Sequence, residues 1–150
     1  MTKKSNLISR IILVDDDEDD RDLFAEAFQS LNLKSDFVQF KNGQELLDYI
    51  KEIDHSIATL VFLDLNMPII SGMEVLKQLR KTLNINDVFI TIYSTSSSQK
   101  DVENAYNFGA NGYLRKPSNF QHLCKLIYKA IDTVTTNRGN EVAKEEFVLK

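Results

Sequence analysis

Five short apolar runs, each followed by a stretch of helical spacing, limit what this chain can fold into more than any other feature. The runs lie at 11–14, 37–40, 60–63, 88–93 and 112–114 and are rich in the β-branched and aromatic residues that suit a pleated, buried surface. Between them apolar residues recur three and four apart: Leu23, Phe24, Ala27, Phe28 and Leu31; Leu46, Leu47 and Ile50; Val75, Leu76, Leu79 and Leu83; Val102, Ala105 and Tyr106. A last stripe follows Pro117, with Leu123, Leu126, Ile127, Ala130, Ile131 and Val134 on one face and Ser118 as its expected cap. Regular alternation of strand and helix implies parallel strands joined by right-handed crossovers. The first and third runs hardly alternate between apolar and polar, which suits strands covered on both faces. The expected fold is α/β, a doubly wound five-stranded parallel sheet with five helices, occupying residues 8–134 and followed by a short tail at 135–150.

Charge and residue usage remove several function classes. Lys and Arg number 18 against 22 Asp and Glu, a formal net charge of −4, the wrong sign for a surface that neutralises nucleic-acid phosphates. Direct nucleic-acid binding is not expected. Cys124 is the single cysteine and cannot pair within the chain, and His55 and His122 stand too far apart for a zinc motif. The basic start at 1–6 is followed only by short apolar runs broken by charge. Neither a signal core nor a membrane span is expected, and the cytoplasm is the expected location. Residues 137–150 are too few for a second folded module, so no attached output domain is expected.

In a doubly wound sheet, ligands bind beyond the carboxyl ends of the strands, where strand order reverses. The residues that close each run are therefore the place to look for chemistry. The first run leads into Asp15-Asp16-Asp17-Glu18-Asp19-Asp20-Arg21-Asp22, in which seven of eight residues are acidic. Glu18 to Asp22 read as the solvated first turn of a helix, where acids favour the helix dipole. Asp15 and Asp16 differ, because carboxylates closing a buried strand repel one another unless a cation neutralises them, and a hard divalent ion is the natural partner. The third run ends at Asp64, followed by Leu65-Asn66-Met67-Pro68 and a loop to Gly72. Alone, Asp64 could cap that loop. With Asp15 and Asp16 it makes three converging carboxylates, enough to hold Mg²⁺ and leave an oxygen as a nucleophile toward phosphorus. The fourth run ends in Tyr93-Ser94-Thr95-Ser96, whose hydroxyls can serve a phosphoryl oxygen or an ordinary helix cap. The fifth gives Tyr113-Leu114-Arg115-Lys116-Pro117, where the lysine can pair with carboxylate and phosphate or simply face solvent. Taken together, metal site, nucleophile, hydroxyl and ammonium are what phosphoryl transfer to a carboxylate needs.

In order and spacing, these residues resemble the response-regulator receiver domain of two-component signalling across roughly residues 8–134. The resemblance rests on Ile12-Leu13-Val14-Asp15-Asp16, on Asp64-Leu65-Asn66-Met67-Pro68 with Gly72, on Ser94-Thr95, and on Gly109-Ala110-Asn111-Gly112-Tyr113-Leu114-Arg115-Lys116-Pro117. It implies a flavodoxin-like receiver fold. It implies that Asp15, Asp16, Asp64 and the main-chain carbonyl of Asn66 hold Mg²⁺, and that Asp64 accepts a phosphoryl group from a sensor histidine kinase or a histidine phosphotransfer protein. Ser94 and Lys116 would bind that group, with Lys116 bridging to Asp64, while Ser94 and Tyr113 form the switch pair and a cis peptide precedes Pro117. The face of the fourth helix, fifth strand and fifth helix would dock a downstream protein or a second copy. The chain would then be a regulatory phosphoacceptor with output by protein binding, not an enzyme acting on other substrates. Ser94 stands where Thr is more frequent, Thr95 where a smaller residue often lies, and Ser71 where Asp is usual, so tighter phosphoryl access and altered partner contacts are expected. Phe147-Val148-Leu149 in the tail is expected to offer an apolar contact to a partner or second subunit, or else to fray.

Two other function classes compete. Haloacid-dehalogenase-like phosphatases also combine a strand-end aspartate, Mg²⁺, a hydroxyl and a lysine, and Asp15 and Asp17 superficially fit their acid pair. Their motif then wants Thr or Val where this chain has Asp19, and a downstream acidic pair where residues 117–136 hold only Asp132. A degenerate receiver serving as a constitutive interaction module is the other. Clustered carboxylates kept at a cost in repulsion argue against it.

Overall fold

The computed structural model describes residues 8–84, 87–137 and 142–150; the basic start at 1–6 and the polar residues 138–140 lie outside them. Strands and helices alternate as β1 (Arg10–Val14), α1 (Glu18–Ser30), β2 (Asp36–Phe40), α2 (Gly43–Glu52), β3 (Thr59–Leu63), α3 (Gly72–Thr82), β4 (Phe89–Ser94), α4 (Gln99–Asn107), β5 (Gly112–Arg115) and α5 (Phe120–Thr136). All five strands are parallel, in the order β2-β1-β3-β4-β5. This is the doubly wound sheet expected from the alternation.

Strand side chains point to opposite faces in turn, and that period divides the core in two. Ile12 and Val14, Val61 and Leu63, and Ile90 and Ile92 pack with Leu46, Ile50, Val75 and Leu76 of α2 and α3. Ile11 and Leu13, Leu60 and Phe62, and Leu114 pack with Phe24 and Phe28 of α1 and with Leu123 and Ile127 of α5. Every residue of β3 is buried, as its unbroken apolar run requires, whereas β2 at the sheet margin exposes Asp36 and Gln39.

Helix starts follow capping chemistry. Asp17, Asn42, Ser71, Ser98 and Asn119 each accept the amide three residues on. Ser71 does so for α3 by taking the Glu74 amide at 3.2 Å. Asn119, and not Ser118, caps α5: the helix begins at Phe120, and only a residue immediately before it places its side chain on the His122 amide, at 2.9 Å. The expected cis peptide before Pro117 is absent, since every peptide bond among the described residues is trans.

The tail departs from expectation. Val148 pairs in parallel with Tyr113 on the free side of β5, where Tyr113 donates its amide to Phe147 O at 3.0 Å and accepts the Leu149 amide at 2.9 Å. Phe147 is 1% exposed and Leu149 5%. The apolar residues read as a partner contact or a frayed end are instead packed within this chain, because two unpaired backbone groups of Tyr113 and the buried margins of both core layers are there to receive them.

After β3 the chain turns back tightly on itself, with the Gly72 amide donating to Leu65 O at 2.9 Å. A Cβ at Gly72 would stand 2.0 Å from the Asp64 carbonyl oxygen and 2.8 Å from Leu65 Cα, both backbone atoms that cannot swing aside. Gly72→Ala is expected to lower unfolding free energy by about 2 kcal/mol in urea titration, the cost of overpacking a close backbone approach. An unchanged midpoint would show that the loop gives way freely.

Candidate phosphoacceptor site

Backbone hydrogen bonds that extend the sheet by one residue position the site. Asp15 donates its amide to Phe40 O at 3.1 Å, Asp64 to Val14 O at 3.0 Å and Lys116 to Ser94 O at 2.9 Å. Each is the first residue past its strand and is held by the neighbouring strand's last carbonyl. The side chains therefore converge at the carboxyl edge of the sheet. Carboxylate oxygens of Asp15, Asp16 and Asp64 lie within 4.8 Å of one another, with Asp15 and Asp64 buried and Asp16 exposed.

One ammonium partly offsets this charge. Lys116 Nζ lies 2.8 Å from Asp15 Oδ2, 2.8 Å from Asp20 Oδ2 and 3.7 Å from Asp64 Oδ2. The link from Lys116 to Asp64 is thus the longest of the three, and the shorter contacts go to Asp15 and Asp20. Burial alone pulls the ammonium down, but its hydrogen bonds to Asp15 and Asp20 and the charge of Asp64 outweigh it and raise the Lys116 pKa. Burial acts oppositely on Asp64. It lifts the carboxyl from 3.8 to about 7, Lys116 pulling it back and Asp15 and Asp16 adding to the rise. A buried carboxyl facing two other acids favours the arrival of positive charge. Asp15 is also held in place locally, its Oδ1 accepting the Asp17 amide at 3.0 Å and its main-chain oxygen the Arg21 guanidinium at 2.8 Å.

Asp20 is a site residue that the sequence reading assigned to a solvated turn. It is the third residue of α1, and side chains in a first helical turn lean back toward the helix start, here toward the end of β1. That phase was the available signal. Tyr93, which the sequence shows only as closing the fourth run, also belongs here: its ring centroid lies 5.0 Å from Lys116 Nζ, and burial pushes its phenol up.

Ser94 ends β4, buried, and its hydroxyl oxygen accepts the Ser96 amide at 3.1 Å. Thr95 beside it is exposed. Tyr113 is wholly buried and donates its hydroxyl to Ser96 O at 3.0 Å, so the two residues read as a switch meet at Ser96. Asn66 is exposed in the loop, its amide 3.4 Å from Asp64 Oδ1. Asp17, the second acid of the phosphatase-like pair, caps α1 by accepting the Asp20 amide at 3.1 Å and does not join the carboxylate cluster. Among the described residues no helix is long and apolar enough to cross a membrane.

Comparison with known proteins agrees with this geometry. The family model described as the response regulator receiver domain matches residues 11–128. The probable methanogenesis regulatory protein FilR2 of Methanothrix harundinacea is 30% identical over 120 residues, covering 78% of this chain and 77% of that protein. The response regulator Rcp1 of a Synechocystis strain is 27% identical over 131 residues, covering 85% of this chain and 89% of its own. Among solved structures, the phosphorylated cyanobacterial phytochrome response regulator RcpA superposes with a TM-score of 0.70 at 27% identity, covering 90% of this chain and 99% of that one. A doubly wound sheet carrying an acid cluster and a lysine at its carboxyl edge, matched by a family model across most of its length, places the chain in the response regulator receiver domain family of two-component signalling.

Proposed function

We propose that the protein is a phosphoacceptor switch in which Asp64 receives a phosphoryl group from a sensor histidine kinase or histidine phosphotransfer protein. The observation that carries this reading is the convergence of Asp15, Asp16 and Asp64 around a space whose negative charge Lys116 only partly offsets. The donor set is all oxygen, which fits Mg²⁺, and Asp15, Asp16, Asp64 and the Asn66 carbonyl would hold it. When bound, Mg²⁺ supplies positive charge to the carboxylates and to the incoming phosphoryl oxygens.

The rest is done by this chain's own groups. Asp64, ionised, attacks phosphorus with a carboxylate oxygen; an acyl phosphate forms, the bond from phosphorus to the donor imidazole nitrogen breaks, and its electron pair stays on that nitrogen. Lys116 moves its charge from Asp15 and Asp20 toward the phosphoryl group, and the Ser94 hydroxyl donates to a second oxygen. That donation draws on the loop from Ser94 to Ser96, which also holds the Tyr113 hydroxyl. Phosphorylation thereby biases the position of Tyr113 and of the surface around β5, from which a downstream protein reads the state. The unpaired Cys124 suits the reducing cytoplasm in which we place the protein.

Acetyl phosphate with Mg²⁺ is expected to add one phosphoryl mass to the wild type and none to Asp64→Asn, read by intact mass or phosphate-affinity gel. Absence of a phosphoform from both acetyl phosphate and a cognate kinase would instead support a constitutive interaction module.

A second expectation comes from the raised Asp64 carboxyl. A group held near 7 in the folded chain and at 3.8 in the unfolded one stabilises the fold only while protonated, so its contribution is present at low pH and lost as pH rises through 7. In chelator, Asp64→Asn should raise stability on the order of 4 kcal/mol at pH 8 and by less than half of that at pH 5. Thermal melts of both proteins across that range check it; a difference independent of pH would contradict the assigned titration.

Lys116→Ala removes the ammonium that offsets three carboxylates. Its stability at pH 7 is expected to fall by about 3 kcal/mol. It should still accept phosphate from acetyl phosphate, while the phosphorylation-dependent shift of the Tyr113 amide in NMR spectra disappears. A normal shift in that variant would remove Lys116 from the transmission path.

A further inference from the structure

The tail occupies a surface with a definite chemistry. β5 is four residues long, and three of them, Gly112, Tyr113 and Leu114, are buried although the strand is last in the sheet. What buries its free side is the chain's own end. The Tyr113 amide and carbonyl, which β4 does not use, bond to Phe147 O and to the Leu149 amide. Phe147 drops to the α4 side, with its ring edge-on to Tyr106 at 5.1 Å, and Leu149 drops to the α5 side among the other core layer. Tyr106 holds the approach through its hydroxyl, which donates to Val142 O at 3.3 Å, and Lys144 lies 5.9 Å over the same ring. The two main-chain bonds at Tyr113 set the register, and the helical backbone of Phe147 (φ −64°, ψ −44°) turns its ring to the face opposite Leu149, so that a pocket on each side of the margin receives one side chain.

This segment is attached by few bonds. Its only paired residue in the sheet is Val148, across from Tyr113, and the residues ahead of Phe147 from Ala143 to Glu146 are exposed and include the short 3-10 turn Lys144–Glu146. We propose that the free margin of β5, with the pockets beside Tyr106 and Leu114, is a binding site for a segment of aromatic–X–aliphatic pattern that bends at the aromatic residue, and that residues 142–150 are its resident occupant, closing it in cis. A protein partner presenting such a segment gains the site only when the resident strand leaves. Tethering makes the resident a strong competitor, because a short link holds it at high effective concentration. Tyr113 is the shared element, carrying both backbone bonds to the tail and the hydroxyl bond to Ser96.

The test uses the full chain without Mg²⁺ or a phosphoryl donor, so it succeeds or fails independently of the phosphoacceptor reading. The double variant Phe147→Ser, Leu149→Ser empties both pockets; Leu149→Pro, which removes the amide that donates to Tyr113 O and replaces the leucyl side chain while leaving Phe147 in place, serves where the first does not fold. The probe is a fluorescein-labelled peptide of residues 142–150, followed by anisotropy, with hydrogen exchange read at Tyr113 and Asp64. The variants should bind the peptide at least tenfold more tightly than the wild type, and a peptide with Ser at both pocket positions should not bind. Exchange at Tyr113 should rise while Asp64, inside the sheet, stays protected. Equal binding by wild type, no binding by a variant whose Tyr113 amide has opened, or exchange rising at Asp64 as well would each overturn the proposal. So would a concentration-dependent wild-type dimer lost in the variants, which would put the segment on a second copy.

Discussion

The structure depends on one buried ammonium among acids. Asp15 is fully buried and Asp64 4% exposed, a placement that costs several kcal/mol per unpaired charge in a protein interior. Lys116 meets that cost from the far end of the sequence, because β5 pairs with β4 and delivers it past the last ladder bond to Ser94 O. The strand order supplies the rest. With β2 on one side of β1 and β3 on the other, connections from β1 and β3 leave in opposite directions, and a crevice opens between their ends. Asp15 and Asp64 sit on its two lips. Fold and site are therefore one constraint: the winding that opens the crevice also brings the lysine that makes it habitable for carboxylates.

Most of this was readable from the chain because its signals are local. Period-two and period-three-to-four patterns locate strands and helices, and the residue after a buried run must lie at a sheet edge, which is how Asp15, Asp64 and Lys116 could be placed before any coordinates. What escaped is what depends on contacts between distant segments. Asp20 looked like one acid among seven in a helix start, and only the arrival of Lys116, 96 residues on, distinguishes it from Asp19. Tyr93 looked like another apolar strand residue until the same lysine lay over its ring. The misplaced cap of α5 has a different origin. Ser118 and Asn119 are both good caps, and one residue of helix phase, invisible to composition, decides between them.

The two margins of the sheet are treated differently, and the tail follows from that difference. β2 turns Asp36 and Gln39 outward, polar side chains that make an open strand edge tolerable. β5 turns only Arg115, its last residue, outward, and Gly112, Tyr113 and Leu114 before it are apolar and buried. An unprotected edge invites pairing with whatever extended segment is near, and the nearest is the one joined to the end of α5. At Gly112 a Cβ would come within 3.7 Å of Phe147 O, ordinary contact, so that position allows the close approach without requiring glycine for it.

Tyr113 joins the two halves of this argument. Its backbone lies opposite Ile92 in the ladder, its amide and carbonyl hold the tail, and its hydroxyl reaches Ser96 O in the loop that follows Ser94. Burial raises its phenol, which keeps the hydroxyl a neutral donor, so this last bond is a fixed link across the pH range in which Asp64 titrates. A displacement of the Ser94–Ser96 loop removes the acceptor from a buried donor, and a buried donor without a partner costs about 1–3 kcal/mol. That is comparable to what holds a short edge strand in place. The side chain can recover the bond only by moving, and its ring packs against Phe147, 6.4 Å between centroids. The proposed phosphoryl switch and the proposed occupancy of the β5 margin would therefore share one residue, whose polar groups are all committed.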